Sequence, residues 1–418
     1  VEAERLDPAD PRWPYLQGIS LLLSDPQAAQ PCWQRAAECP GDNVYTQTAR
    51  LRWAETLLQN NRPAEAVAIF HKVDDREPRA RMGLALAADA QNDVPAAIEQ
   101  FRGCVDNPSS RQRAASRLAA LAMQSGDRKL ADHVAVEAMR RAFDVMDLRG
   151  TVVIGEGERD EAPMLFIGEQ VGTRNGPKVD IAVDPLEGTT LCAKNMPGAI
   201  ATIAMANGGT LLHAPDCYMQ KIAIGPGYPK GVIDLDAPAD ENIMNLAKAK
   251  GVKPSEITAI LLDRPRHAEM IAAIRKTGAA VALISDGDVA GVIHCAEPKT
   301  GIDIYLGIGG APEGVLSAAA LRCIGGQMQT RLILDTEELR ERTIKMGIKD
   351  PKKKYHIEDM VRGDCLFSAT GVTSGAMLDG VKFGKDVIET DTVVMRSVTG
   401  TVRRVRAEHR QLDKFYLD

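Results

Sequence analysis

Val179-Asp-Ile-Ala-Val-Asp-Pro-Leu-Glu-Gly-Thr189 decides the fold class of this chain. Val179, Ile181 and Val183 alternate with Asp180, Ala182 and Asp184, which is the period of a strand. Pro185 has no N–H to give to a ladder, so the strand is expected to stop there. Gly188 and Thr189 follow, small enough to let backbone N–H groups approach an anion. Asp184, Glu187 and Thr189 therefore crowd the end of one strand. Carboxylates held close repel each other unless a cation lies between them, and hard divalent metals favour such oxygen-rich surroundings. The alternative is a capped strand end with Glu187 in solvent.

Upstream, Val152 to Ile154 is a short apolar run bounded by glycines, a buried strand, with Glu156 between Gly155 and Gly157 just past its end. On its own Glu156 reads as an ordinary acidic turn. Gly126-Asp127 opens a helix in which Asp132, Val136, Met139 and Phe143 fall on one face. Asp132 starts that inward stripe, where a carboxylate is costly unless it is paired or bound to metal. It also reads as a helix-start carboxylate favoured by the dipole.

Downstream, Ile257 to Leu262 reads as a strand ending in Asp263-Arg264-Pro265-Arg266-His267. A helix over Ala268 to Lys276 stops at Gly278, and a strand over Ala280 to Ile284 ends in Asp286-Gly287-Asp288. Ile302 to Leu306 is expected to be another strand, ending in a glycine-rich turn before Glu313, with a helix from Val315 to Cys323. Strand–helix–strand alternation points to parallel pairing, and ligands of open α/β sheets bind outside the carboxyl ends of strands. Paired arginines suit phosphate oxygens; Asp286 and Asp288 suit sugar hydroxyls or a cation. Pro312 occupies the third glycine position of a dinucleotide fingerprint, and there is no G-K-[ST] loop, so phosphate is read as substrate rather than as part of a nucleotide cofactor.

Seven runs together resemble class II fructose-1,6-bisphosphatase: GTVVIGEGERDEAPML (Gly150 to Leu165), VDIAVDPLEGTT (Val179 to Thr190), HAPDCYMQKI (His213 to Ile222), DRPRH (Asp263 to His267), SDGDVA (Ser285 to Ala290), GIGGAPEGV (Gly307 to Val315) and FSATGVTSG (Phe367 to Gly375). DPLEGT is the class II variant of the DPxDGT run of the metal-dependent, lithium-sensitive sugar phosphatases. The resemblance implies a layered α/β/α/β sugar-phosphatase fold over residues 125–418 and hydrolysis of a sugar 1-phosphate with Mn²⁺ or Mg²⁺. It implies metal ligation by Asp132, Glu156, Asp184, Glu187 and Glu313. It implies substrate contacts at Glu187, Gly188, Thr189, Tyr218, Arg264, Pro265, Arg266, Asp286, Gly287, Asp288 and Gly310. Glu156, Thr189 and Asp132 are the catalytic candidates, Glu156 and Thr189 as the pair that orients the attacking water. The family has Lys directly after Gly-Asp in the first helix, where this chain has Arg128, and its N-terminal helix is replaced or remodelled here. Relatives are dimers or tetramers, which implies a homo-oligomer. Some also accept sedoheptulose 1,7-bisphosphate. The alternative is a disabled phosphatase serving as a scaffold.

Residues 1–124 differ in composition and repeat. Leu58 to Phe70 parallels Asp89 to Phe101, near the period of tetratricopeptide repeats, and Ala29, Trp33, Ala36 and Pro40 suggest an earlier unit. Pro78 and Pro108 are read as closing two units, and Gln124-Ser-Gly-Asp127 as a third turn joined without a flexible linker. This all-α segment resembles tetratricopeptide hairpins, which implies a protein partner or self-association. Because the chain begins at Val1, it is expected to be part of a longer product.

The 418 residues allow two or three domains. With 51 basic and 57 acidic residues, net charge −6, a general nucleic-acid surface is excluded. Arg403, Arg404 and Arg406 alternate as on a solvated strand. Eight cysteines without C-x-x-C pairs argue against zinc and against a disulfide framework, consistent with the cytoplasm, and Cys192 and Cys217, near the site runs, are read as buried small hydrophobes, with oxidation sensing as the alternative. No apolar run reaches membrane-spanning length.

Overall fold

The computed structural model describes residues 2–22, 25–74, 76–105, 107, 110, 114, 117–118, 121, 125–157, 164–348, 350, 352–384 and 387–411. The chain divides into two units, Val1–Ser125 with Asp413–Asp418, and Gly126–Leu412.

The first unit is helical: α1 (Glu2–Leu6), α2 (Arg12–Leu21), α3 (Pro26–Glu38), α4 (Val44–Gln59), α5 (Pro63–Phe70), α6 (Pro78–Ala90) and α7 (Val94–Val105). From α2 to α7 each helix packs on its neighbour in sequence, and α4 also meets α6. Proline begins α3, α5 and α6, where the first turn has no intrahelical use for an N–H. Pro78 therefore opens a helix rather than closing a unit, and Pro108 lies outside the described residues. The two echoing turns share a backbone device, since Asn61 and Asn92 both take positive φ, at 56° and 57°. The echoing Phe70 and Phe101 are both buried. Gly83 gives Phe70 its place: a Cβ there would lie 2.1 Å from the ring.

In the second unit α8 (Arg128–Asp144) starts at Asp127, whose carboxylate accepts from Leu130 N–H at 3.1 Å. One mixed sheet contains β1 (Arg149–Ile154), β2 (Gln170–Val171), β3 (Lys178–Glu187), β4 (Ile200–Asn207), β11 (Cys365–Gly371), β12 (Lys382–Phe383), β13 (Ile388–Arg396) and β14 (Thr401–His409). Its order is β12-β13-β11-β4-β3-β1-β2, with β14 on β13, and only β1 and β3 run parallel. The other contains β5 (Tyr218–Ile224), β6 (Thr258–Leu262), β7 (Ala280–Ile284), β8 (Ile304–Gly310), β9 (Gln327–Leu332) and β10 (Tyr355–His356), in the order β10-β9-β5-β8-β6-β7. Here β7, β6 and β8 are parallel, as the strand–helix alternation predicts, and the rest antiparallel.

Helices α9 (Thr189–Ala193), α10 (Ala239–Lys250), α11 (Ala268–Lys276), α12 (Asp288–His294), α13 (Ala311–Ile324), α14 (Glu337–Lys345) and α15 (Ile357–Met360) complete the unit. The almost wholly buried α13 touches β3, β4, β11 and β13 of one sheet and β5, β8 and β9 of the other, so it forms the layer between them. Val136 and Phe143 of α8 cover the outer face of the first sheet through Val152, Ile181 and Val183. Ile243, Leu246, Ile271 and Ile274 of α10 and α11 cover the outer face of the second. The stack thus has one helical layer more than the four expected.

Two strand ends differ from the sequence reading. Pro185 does not stop β3: the ladder to β4 passes from Asp184↔Thr202 to Glu187↔Ile200, one residue longer on the β3 side. A bulge absorbs the proline, which has no N–H to pair, and turns Glu187 inward. The run Gly307–Gly310 is not a turn but the end of β8, paired with β5 as far as Tyr218↔Gly310. Helix α13 begins directly after it, at Ala311. Gly309 and Gly310 are glycines because acidic side chains occupy the space above them. A Cβ on Gly309 would stand 1.8 Å from Asp288 Oδ2, and one on Gly310 1.9 Å from Glu313 Oε2.

Candidate active site

Glu156 leaves the end of β1 between two glycines. A Cβ on Gly155 would fall 1.9 Å from Leu165 O, so only glycine lets the two segments close, and Glu156 N–H donates to that same carbonyl at 3.0 Å. Residues 158–163, part of the same run, lie outside the described residues. From β3, Asp184 Oδ1 accepts from Leu186 N–H at 3.0 Å across the bulge, and Glu187 Oε1 accepts from Val289 N–H of α12 at 2.7 Å. Gly188, at φ 84°, turns the chain into α9, and Asp286 Oδ2 accepts from Thr190 N–H at 3.2 Å. Glu313 stands in the first turn of α13.

These side chains converge. A cavity of about 300 Å³ is lined by Asp132, Glu156, Asp184, Glu187, Gly188, Thr189, Asp286 and Glu313, with Asp216 beside them. Ligand oxygens of Asp184, Glu187 and Glu313 all lie within 4.8 Å of one another. Burial raises the pKa of Asp132, Glu156, Asp184, Glu187 and Glu313, and neighbouring carboxylate charge adds to it in the last four. Burial and the charges of Asp132, Asp184 and Glu313 push Glu156 up to about 8. Burial raises Asp184 to about 6, and burial with the Asp288 charge raises Glu313 to about 7, Lys221 acting against it. Glu187 is raised well above its ordinary value by burial and then by Asp184, and Asp132 is raised by burial. Glu313 Oε2 is buried without a hydrogen-bond partner. An all-oxygen donor set with an orphaned carboxylate oxygen and carboxyls that resist ionisation fits a hard divalent cation, which removes the repulsion and satisfies the orphan.

The remaining expected contacts lie around this centre. Arg264, Pro265, Arg266 and Tyr218 do not line the cavity. Arg264 Nη1 donates to Asp263 O at 3.0 Å, and Pro265 opens a short 3₁₀ turn. The exposed Arg266 lies 4.8 Å from the ring centroid of Tyr218, itself opposite Gly310 across the β5–β8 ladder. Gly287 turns into α12 at φ 84°. Asp288 is only 5% exposed and bonded to Lys221 Nζ at 2.6 Å, so it lies under the cluster as a counterion. Arg128, in place of the family's lysine, donates to Thr190 Oγ1 at 3.3 Å, next to Thr189.

Sequence reasoning passed over two residues. Lys221 is the first. Its signal is a lysine in phase with Met219 and Ala223, the face of β5 that packs toward α13. The second is Asp216, a carboxylate just before β5. Cys192 and Cys217 are held as thiols, Cys192 by burial and Cys217 at about 12, chiefly by burial.

The fold and site define an α/β protein that gathers, at the ends of its strands, an acidic cluster suited to a divalent metal. The chain belongs to the family of bacterial fructose-1,6-bisphosphatases, glpX-encoded, whose model matches residues 110–409. It is 44% identical over 312 residues to the D-fructose 1,6-bisphosphatase class 2/sedoheptulose 1,7-bisphosphatase of Synechococcus sp. (strain JA-3-3Ab), covering 69% of this chain and 90% of that protein. The protein of the same description from Synechococcus sp. (strain CC9902) is 45% identical over 285 residues, 65% of this chain and 85% of its own length. Among the described residues no helix is long and apolar enough to cross a membrane.

Proposed function

We propose that this chain hydrolyses the 1-phosphate of fructose 1,6-bisphosphate, with Mn²⁺ or Mg²⁺ held by Asp132, Glu156, Asp184, Glu187 and Glu313. The observation that carries the reading is the carboxylate cluster, Glu187 buried and Asp184 and Glu313 half-buried, with its orphaned Glu313 Oε2. When bound, the metal supplies Lewis-acid polarisation of the phosphoryl oxygens and an acidified water. Glu156 and the Thr189 hydroxyl orient the attacking water for in-line displacement. Arg264 and Arg266 grip the distal phosphate, and its binding energy positions the reacting one. Tyr218 supports Arg266 from below. Asp286 accepts from sugar hydroxyls at the cavity wall, while Gly188, Gly287 and Gly310 leave room for the substrate.

Sedoheptulose 1,7-bisphosphate is the second reading, favoured by the double description of both Synechococcus relatives. For residues 1–124 the reading is a tetratricopeptide-like array that holds a protein partner or a second copy of the chain. The matching Asn61 and Asn92 turns and the buried Phe70 and Phe101 support it. The phosphatase domain is assigned to residues 125–418, in a cytoplasmic homo-oligomer.

Phosphate release from the two bisphosphates and from inositol 1-phosphate, with Mn²⁺ or Mg²⁺, tests the substrate assignment. Release selective for fructose 1,6-bisphosphate is expected. Equal release from inositol 1-phosphate would remove the distal-phosphate grip from the account.

A further inference from the structure

Strands β6 and β8 pair only at Ala259↔Ile304 and Ile260↔Tyr305. Beyond that point β6 follows β7 to Leu262, while β8 follows β5 to Gly310, and the two diverge. The ring of His267, fully buried, spans the gap. Its Nδ1 lies 2.7 Å from Leu262 O on β6, and Ile308 N–H on β8 donates to its Nε2 at 2.9 Å. A carbonyl only accepts and an amide N–H only donates, so the ring is neutral with its proton on Nδ1. The imidazole thus stands in for the missing ladder bonds between two parallel strands. A Cβ on Gly307 would come within 3.1 Å of the ring, so glycine lets β8 pass close beside it.

The same residue is held through its carbonyl as well. Its carbonyl accepts from Arg266 Nη2 at 2.8 Å, and Arg266 and His267 share one 3₁₀ turn. Ile308 is therefore read at N–H by His267 and at C=O by Arg266.

We infer that His267 is a positioning residue: by fixing Ile308 through its N–H it sets the carbonyl of the same residue, which aims Arg266 at the distal phosphate of the substrate. This rests on the assignment of Arg266 to that phosphate. An imidazolium, or an apolar ring, has no acceptor for Ile308 N–H, and either frees the residue whose carbonyl orients the guanidinium.

The test is a double-mutant cycle of His267→Phe and Arg266→Ala, read as KM for fructose 1,6-bisphosphate. Mn²⁺ affinity of the chelator-stripped protein is measured beside it by calorimetry. His267→Phe is expected to raise KM roughly tenfold, the worth of a hydrogen bond to a charged group. It should add nothing in the Arg266→Ala background, and Mn²⁺ affinity should stay at the parent value. His267→Gln, which keeps an acceptor for Ile308 N–H, should recover part of the loss, and it stands in should the phenylalanine variant fail to fold. Additive KM effects would overturn the role of His267 while leaving the distal-phosphate assignment intact. An unchanged KM in Arg266→Ala would overturn both, and a loss of Mn²⁺ affinity in the His267 variants would mark a merely structural role.

Discussion

Glu187 Oε1 accepts a hydrogen bond from Val289 N–H at 2.7 Å, a link across 102 residues of chain. It joins the end of β3 in one sheet to the first turn of α12, which follows β7 of the other. Glu187 is thereby aimed by backbone as well as by its side-chain hydrogen bond with Asp184, a contact between two carboxyls that a cation would replace. Glu187→Gln keeps the acceptor for Val289 and the shape of the protonated acid. In chelator this variant should melt no lower than the parent, while phosphate release falls by roughly 10²-fold or more. Parent-level turnover in the variant would remove Glu187 from the metal set.

Gly310 has no room for a side chain because Glu313 Oε2 occupies it, with a Cβ falling at 1.9 Å. Gly310→Ala should push Glu313 aside, weaken Mn²⁺ binding, and cost about 1–3 kcal/mol of stability by overpacking. Titration calorimetry and a urea melt read the two effects. Parent-like Mn²⁺ affinity would show that Glu313 does not need this approach.

The raised carboxyl groups make metal-free stability depend on pH with a definite sign. Asp184 at about 6, Glu313 at about 7 and Glu156 at about 8 hold protons that the unfolded chain, at 3.8 to 4.5, has already released. Their contribution is full below the unfolded values and is lost as pH rises through the folded ones. Chelator-treated protein should therefore melt progressively lower as pH climbs from 5 to about 8, and saturating Mn²⁺ should remove or invert that slope. A metal-free melting temperature that rises over this range would contradict the account of the cluster.

Lys221 and Asp288 form an ion pair from which solvent is almost wholly excluded, with Tyr305 reaching the same Asp288 oxygen at 3.4 Å. Lys221→Met leaves a buried charge without its partner and should cost about 3–5 kcal/mol. Lys221→Met with Asp288→Asn should recover most of that loss in the same denaturant melt. A double variant no more stable than the single one would show that the pair is not the reason for the loss.

Much of this was legible in the sequence where side-chain pattern and punctuation agree. Ala268–Lys276 and Ala280–Ile284 form as read because Gly278 separates a helical period from a strand period. The carboxylates could be read one by one as strand-end or, for Asp132, helix residues, but their convergence depends on the bulge at Pro185, which no local pattern announces. Gly307–Gly310 reads as a turn because glycines carry no alternation; their reason is the His267 ring beside Gly307 and the volume of Asp288 and Glu313 over Gly309 and Gly310, remote in the chain or on the next helix. Asp288 looks like its neighbour Asp286 in Asp286-Gly-Asp288. Only the fold, by bringing Lys221 from β5, separates a buried counterion from a residue of the cavity wall.

The most direct test titrates Mn²⁺ into chelator-stripped protein while following phosphate release from fructose 1,6-bisphosphate, with heat of binding measured in parallel. The account predicts that saturable binding and turnover rise together, that protons are released as the carboxyls take up metal, and that Glu187→Gln loses both binding and turnover. Undiminished phosphate release in chelator, or tight Mn²⁺ binding unaffected by Glu187→Gln, would contradict it.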